Sequence, residues 1–122
     1  MHRVLVSLGS NTCPAAHIRW ASQRLSLLLD NARFSRTIWT EDTRGTGIFY
    51  MNQLASGYTA LSADALQQAL KAVEQETGRT KPSVTIDLDL IQYDQQRYHL
   101  TDWTRPYILQ LMDCTYPCYN RP

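Results

Sequence analysis

A chain of 122 residues, 43% apolar and 19% charged, has room for one hydrophobic core and not for two. Its formal charge of +1 gives no electrostatic footprint for nucleic acid or an anionic membrane. No apolar run reaches membrane-spanning length and the first residues do not read as a signal peptide, so a single domain over residues 1–122 in the cytoplasm is expected. Cys13, Cys114 and Cys118 are an odd count without a secretion signal and are expected to be free thiols. A zinc site would need further paired ligands, and His2, His17 and His99 lack such spacing.

In chain order, Val4, Val6 and Leu8 alternate through residues 3–8 and predict a short buried strand. Gly9-Ser10-Asn11 breaks it, as a tight strand-to-helix turn requires. Pro14 suits the first turn of a helix, and Ile18, Ala21, Leu25, Leu28 and Leu29 keep helical spacing to an end near Asp30-Asn31. Residues 33–40 carry Phe34, Thr37, Ile38, Trp39 and Thr40 and predict a second strand. A polar loop with two glycines follows over residues 41–47. Residues 49–59 read as a third strand with Tyr50, Asn52 and Leu54 on one face, and an inward-facing Asn52 asks for a partner.

Ser62 is a natural N-cap for a helix whose apolar positions are Leu66, Ala69, Leu70 and Val73, and Gly78 ends it. A short basic connection, residues 79–82, leads into Thr85-Ile86-Asp87-Leu88-Asp89-Leu90-Ile91. Here Ile86, Leu88 and Leu90 share one face and Thr85, Asp87 and Asp89 the other. After a turn, residues 97–100 predict a short strand, residues 106–112 a final helix and residues 113–122 an irregular tail. The order strand, helix, strand, strand, helix, strand is the split βαβ pattern of an α+β, ferredoxin-like domain, an antiparallel sheet with two helices on one face.

That fold turns Asp87 and Asp89 toward the side of the sheet away from the helices. Two carboxylates at i and i+2 lie roughly 7 Å apart along a strand and repel each other when bare. They fit either a solvated face paired with Arg or Lys, which spacing alone favours, or a magnesium site of the kind that shares its ion with substrate phosphates.

In order along the chain, Val4-Leu5-Val6-Ser7-Leu8-Gly9-Ser10-Asn11, Tyr50-Met51-Asn52, Glu74 to Arg79 and Asp87-Leu88-Asp89-Leu90 resemble four motifs of the 6-hydroxymethyl-7,8-dihydropterin pyrophosphokinase family. The resemblance covers residues 1–93. It implies transfer of pyrophosphate from ATP to the hydroxymethyl group of a reduced pterin in folate biosynthesis, with release of AMP. It also implies two magnesium ions on Asp87 and Asp89, Asn52 reading the pterin amide edge, Tyr50 stacking on the ring, and Thr40 beside the same pocket, acting largely through its backbone. Glu74 corresponds to a nucleotide-contacting position and Arg79 to a basic residue near the phosphates. Each has a plainer reading: Asn52 in a turn, Tyr50 in strand packing, Glu74 as a solvated helix position, Arg79 as a helix C-terminal cation.

The chain also departs from that pattern. The family carries an Arg shortly before its first signature Asp, within a longer basic loop; here Lys81-Pro82-Ser83-Val84-Thr85 is all that joins Arg79 to Asp87, so the loop is shortened and the Arg is absent. One alignment of the following residues matches His99 and Arg105 to the family's catalytic and nucleotide-contacting His and Arg, and Tyr107 to its pterin-closing aromatic. Another keeps the hairpin register and leaves them without counterparts; the first is preferred. The expected function is therefore the diphosphotransferase, with pterin and ATP as small-molecule partners. The alternative is a non-catalytic pterin- or nucleotide-binding relative, alone or with a protein partner. An RNA-recognition module shares the strand order but needs first-strand aromatics and a basic surface, which are missing.

Overall fold

The computed structural model describes residues 1–41, 45–78, 83–100, 103, 105, 108 and 111. The elements are β1 (His2–Ser10), α1 (Pro14–Leu28), β2 (Asp30–Phe34), β3 (Ile38–Glu41), β4 (Phe49–Thr59), α2 (Ala63–Glu76), β5 (Asp87–Tyr93) and β6 (Gln96–Arg97). The sheet runs β2-β4-β1-β5-β6, every pair antiparallel, with β3 also on β4. This is the expected α+β arrangement, an open antiparallel sheet of ferredoxin-like type.

Alternation decides which side each strand gives to the helices. Val4, Val6 and Leu8 of β1 and Leu88 and Leu90 of β5, with Ile86 just ahead of β5, join Ile18, Ala21 and Leu25 of α1 and Leu66, Leu70 and Val73 of α2 in one buried cluster. Leu5, Leu54 and Ile91 point to the opposite face. They are buried there by Trp103, Ile108 and Leu111. That face, expected to be uncovered, is therefore covered over the half nearest the β1 N-terminus. Trp103 is pinned by its indole N–H, which donates to the carbonyls of Ile91 and Tyr98, each at 3.1 Å, and the Arg97 guanidinium lies 3.9 Å over its ring.

The strand expected over residues 33–40 is two strands. Ser35 is buried between them, its N–H donating to Leu54 O and its hydroxyl accepting from Leu54 N–H, both at 2.9 Å. The Ser35 carbonyl is thereby free to accept from the Gln53 side-chain amide at 2.9 Å. A side-chain oxygen that replaces a backbone acceptor lets the chain step out of the ladder there. At the other ends, α1 stops at Leu28, two residues short of expectation, and the terminal strand is confined to Gln96–Arg97. Ser62 caps α2 through Ala65 N–H, and Gly78 follows the helix with φ 70°. The described positions of the final segment, Ile108 and Leu111, are core residues. The rest of residues 106–112, the tail at 113–122, Cys114 and Cys118 lie outside the described residues, and Cys13 is an exposed free thiol.

Gly57 in β4 lies under the end of α1, where an added Cβ would stand 2.9 Å from Leu29 Cβ and 3.1 Å from the Asp30 carbonyl oxygen. Both neighbours are held near the backbone and cannot swing aside. Gly57→Ala is expected to destabilise the fold by about 1–3 kcal/mol, read as a lower urea midpoint with an unchanged slope.

Candidate functional site

The turn that follows β1 positions the aspartate strand. Asn11 N–H donates to Val84 O and Asn11 Oδ1 accepts from Val84 N–H, both at 2.9 Å, while Thr12 meets Ser83 through their hydroxyls. Asn11 therefore acts as a two-point clamp on the segment entering β5, while Gly9 and Ser10, expected to break the strand, complete β1.

Register then brings the polar residues together. Gly9 pairs with Asn52 on one side and with Asp87 on the other, so Asn52, Gly9 and Asp87 form a row across β4, β1 and β5 on the face away from the helices. Two inter-strand spacings set Asn52 and Asp87 about 10 Å apart. Gly9 leaves the space between them without a side chain. A Cβ there would face Asn52 Oδ1 at 3.6 Å and the Tyr50 ring at 3.9 Å.

Asn52 is buried, and its Nδ2 donates to Thr40 Oγ1 at 2.7 Å and to the Tyr50 carbonyl at 3.2 Å. Both amide hydrogens are engaged, so Oδ1 is the atom it can offer a ligand. Thr40, on β3 beside Tyr50, accepts the Asn52 hydrogen bond with its hydroxyl. Tyr50 is half-buried beside Gly9.

Asp89, two residues beyond Asp87, borders a cleft of about 660 Å³ between α2 and β5, lined also by Gln67, Lys71, Leu90, Tyr98 and His99. Lys71 Nζ lies 3.6 Å and His99 Nε2 3.9 Å from Asp89 Oδ1. Burial pushes the Asp89 carboxyl up to about 6 from its ordinary 3.8, and the Asp87 carboxylate adds to the rise. Lys71 and His99 oppose it without cancelling it. A carboxylate pair in which one member raises the pKa of the other fits a divalent cation that retains water and shares ligands with phosphate. Among the described residues no group of three or more His, Cys, Asp or Glu gathers for a metal.

Glu74 is almost fully buried, not a solvated helix position. Its Oε2 accepts from Leu88 N–H at 2.6 Å and from Lys71 Nζ at 3.2 Å. Arg105 is half-buried, and Arg79 and Tyr107 lie outside the described residues. Sequence reasoning missed Lys71 and the cleft-lining Gln67 and Tyr98. The i,i+3 spacing of Lys71 and Glu74 on one helix face was the available signal for the first.

The family model for 7,8-dihydro-6-hydroxymethylpterin-pyrophosphokinase (HPPK) matches residues 5–116. No curated protein matches the chain. Among the described residues no helix is long and apolar enough to cross a membrane.

A carboxyl group whose pKa is higher in the folded than in the unfolded chain adds stability that is full below about pH 4 and is lost as the pH rises through about 6. In EDTA, the melting temperature of the wild type is expected to fall across that window relative to Asp89→Asn. At pH 7 the variant should melt about 3–6 °C higher, and added Mg2+ should raise the wild type and leave Asp89→Asn unmoved. Superimposable melting curves for the two proteins across the pH series would count against this account of Asp89.

Proposed function

The chain belongs to the 7,8-dihydro-6-hydroxymethylpterin-pyrophosphokinase family, and from that premise we propose that it is a cytosolic diphosphotransferase of folate synthesis. It moves the β,γ-pyrophosphoryl group of ATP to the hydroxymethyl oxygen of 6-hydroxymethyl-7,8-dihydropterin. The oxygen forms a bond to the β-phosphorus as the bond from that phosphorus to the α,β-bridging oxygen breaks. AMP leaves with that oxygen, and the hydroxyl proton passes to solvent.

The observation that carries this reading is the row Asn52, Gly9, Asp87 with Asp89 and the cleft beyond it. The order suits two substrates that meet at the carboxylates. On the Asn52 side, the flat pterin lies over Gly9 against the Tyr50 ring, with Asn52 Oδ1 accepting from a ring N–H or amino group. On the other side the nucleotide occupies the α2–β5 cleft, with His99 and Lys71 toward its phosphates. Glu74 shapes that cleft by holding Leu88, and Arg79, Arg105 and Tyr107 are assigned by resemblance to the phosphates and the outer face of the pterin. Magnesium on Asp87 and Asp89, two ions by the family pattern, supplies charge neutralisation of the transferred group. The protein's own contribution is positioning: Gly9 leaves room for the pterin, and the Asn11 clamp and Glu74 keep both aspartates aimed at one place.

The test is AMP formation from ATP, magnesium and hydroxymethyldihydropterin. The wild type is expected to form AMP only with all three present, and Asp87→Ala and Asp89→Ala should each lower the rate at least about a hundredfold. A wild type that forms no AMP above background at any enzyme concentration overturns the catalytic reading. Pterin binding retained in that preparation would support the non-catalytic relative instead.

A further inference from the structure

We propose that Lys71 is a built-in counter-cation for Asp89, neutralising that carboxylate while no metal is bound and turning into the α2–β5 cleft when a divalent ion takes its place. This rests on the reading of Asp87 and Asp89 as the magnesium pair. Lys71 Nζ has three anchors of unequal length: Glu74 Oε2 at 3.2 Å, Leu88 O at 3.4 Å and Asp89 Oδ1 at 3.6 Å. The first two belong to one fixed unit, because Glu74 itself accepts from Leu88 N–H. Contact with Asp89 is the longest of the three and the most readily given up.

Half of the Lys71 side chain is exposed, at 55%, against 22% for Asp89 and 3% for Glu74. The ammonium therefore moves between the carboxylate and open cleft with little desolvation, while the carboxylates stay in place. A divalent ion bound to Asp89 sits about 2.1 Å from its oxygen. An ammonium held 3.6 Å from the same oxygen would then stand beside two positive charges. Repulsion drives it outward, and outward is the cleft that Lys71 already lines with Gln67, Gln68 and Tyr98. There it faces the phosphates of a bound nucleotide. A lysine suits both positions, since its point charge on a flexible stem needs no fixed fork of donors.

The prediction is read with Mn2+ alone, by loss of the free-ion EPR signal on titration. Lys71→Met should bind Mn2+ about three- to tenfold more tightly than the wild type, and Lys71→Arg should stay close to the wild type. In an Asp89→Asn background, Lys71→Met should bring no gain. Equal or weaker binding by Lys71→Met overturns the proposal, and so does an undiminished gain in the Asp89→Asn background, which would be a general field effect. Absence of Mn2+ binding by every protein overturns the magnesium-pair reading and this proposal with it. Lys71→Met removes one partner of the buried Glu74; should it fail to fold, Lys71→Met/Glu74→Gln against Glu74→Gln gives the same comparison.

Discussion

The hydrogen bond from Leu88 N–H to the buried carboxylate of Glu74 joins the second helix to the strand that carries the two aspartates. Leu88 pairs with Leu8 of β1, and its amide and carbonyl point outward, toward the side of β5 that β6 covers only at Gln92 and Tyr93. An open sheet edge leaves such groups to water or to another strand. Here α2 supplies both partners, Glu74 for the N–H and Lys71 for the carbonyl. A buried carboxylate is tolerated because it receives a backbone donor and an ammonium at once. Loss of Glu74 would leave the outer edge of β5 at Leu88 without its helix-side partner. The Asn11 clamp on Val84 holds the strand's entrance, and the Glu74 bond holds Leu88 between the two aspartates.

Rigid support matters because the two aspartates oppose each other. Free strands relieve such repulsion by twisting or solvating, and β5 is restrained in both between β1 and α2. The cost appears as the raised pKa of Asp89, which burial and Asp87 impose and which Lys71 and His99 only reduce. A site held under such electrostatic stress is stabilised by a cation that relieves it. The resemblance assigns a loop Arg to this neighbourhood that the chain lacks. A described cation near Asp89 is Lys71, on a helix, within reach of both Glu74 and Asp89.

Much of this was legible in the sequence. Alternation in β1 and β4, the Ser62 cap, the Gly78 stop and the opposed faces of β5 are local signals, and all four hold in the structure. What was not legible depends on partners far along the chain. The break at Ser35 follows from a hydroxyl that accepts from Leu54, and nothing near residue 35 announces it. Burial of the second sheet face by Trp103, Ile108 and Leu111 was hidden because these residues follow no strand-like or long helical pattern. Lys71 was hidden differently: on α2 it reads as an ordinary exposed lysine until the edge of β5 is placed beside it. The roles expected of Arg79 and Tyr107 stay with the resemblance, since both residues lie outside the described ones.

The partial cover of that second face explains why the candidate site lies where it does. Leu5, Leu54 and Ile91 are sealed beneath the Trp103 segment, so one half of the face is dry. The other half begins where β1 turns polar and small, at Ser7 and Gly9, and there the strands present Asn52, Asp87 and Asp89 instead of leucines. A flat ring can lie only over the half that lacks bulk, and Gly9 is the position that keeps it low. The boundary between the halves passes through neighbouring pairs of one register, Leu54 with Ser7 and Asn52 with Gly9. A shift of β4 by one residue would turn Asn52 to the helices and bring its neighbours Met51 and Gln53 to the open face. The Ser35–Leu54 hydrogen bonds resist that shift at the edge of the sheet, which ties an irregularity in β2 and β3 to the placement of the polar residue facing the aspartates.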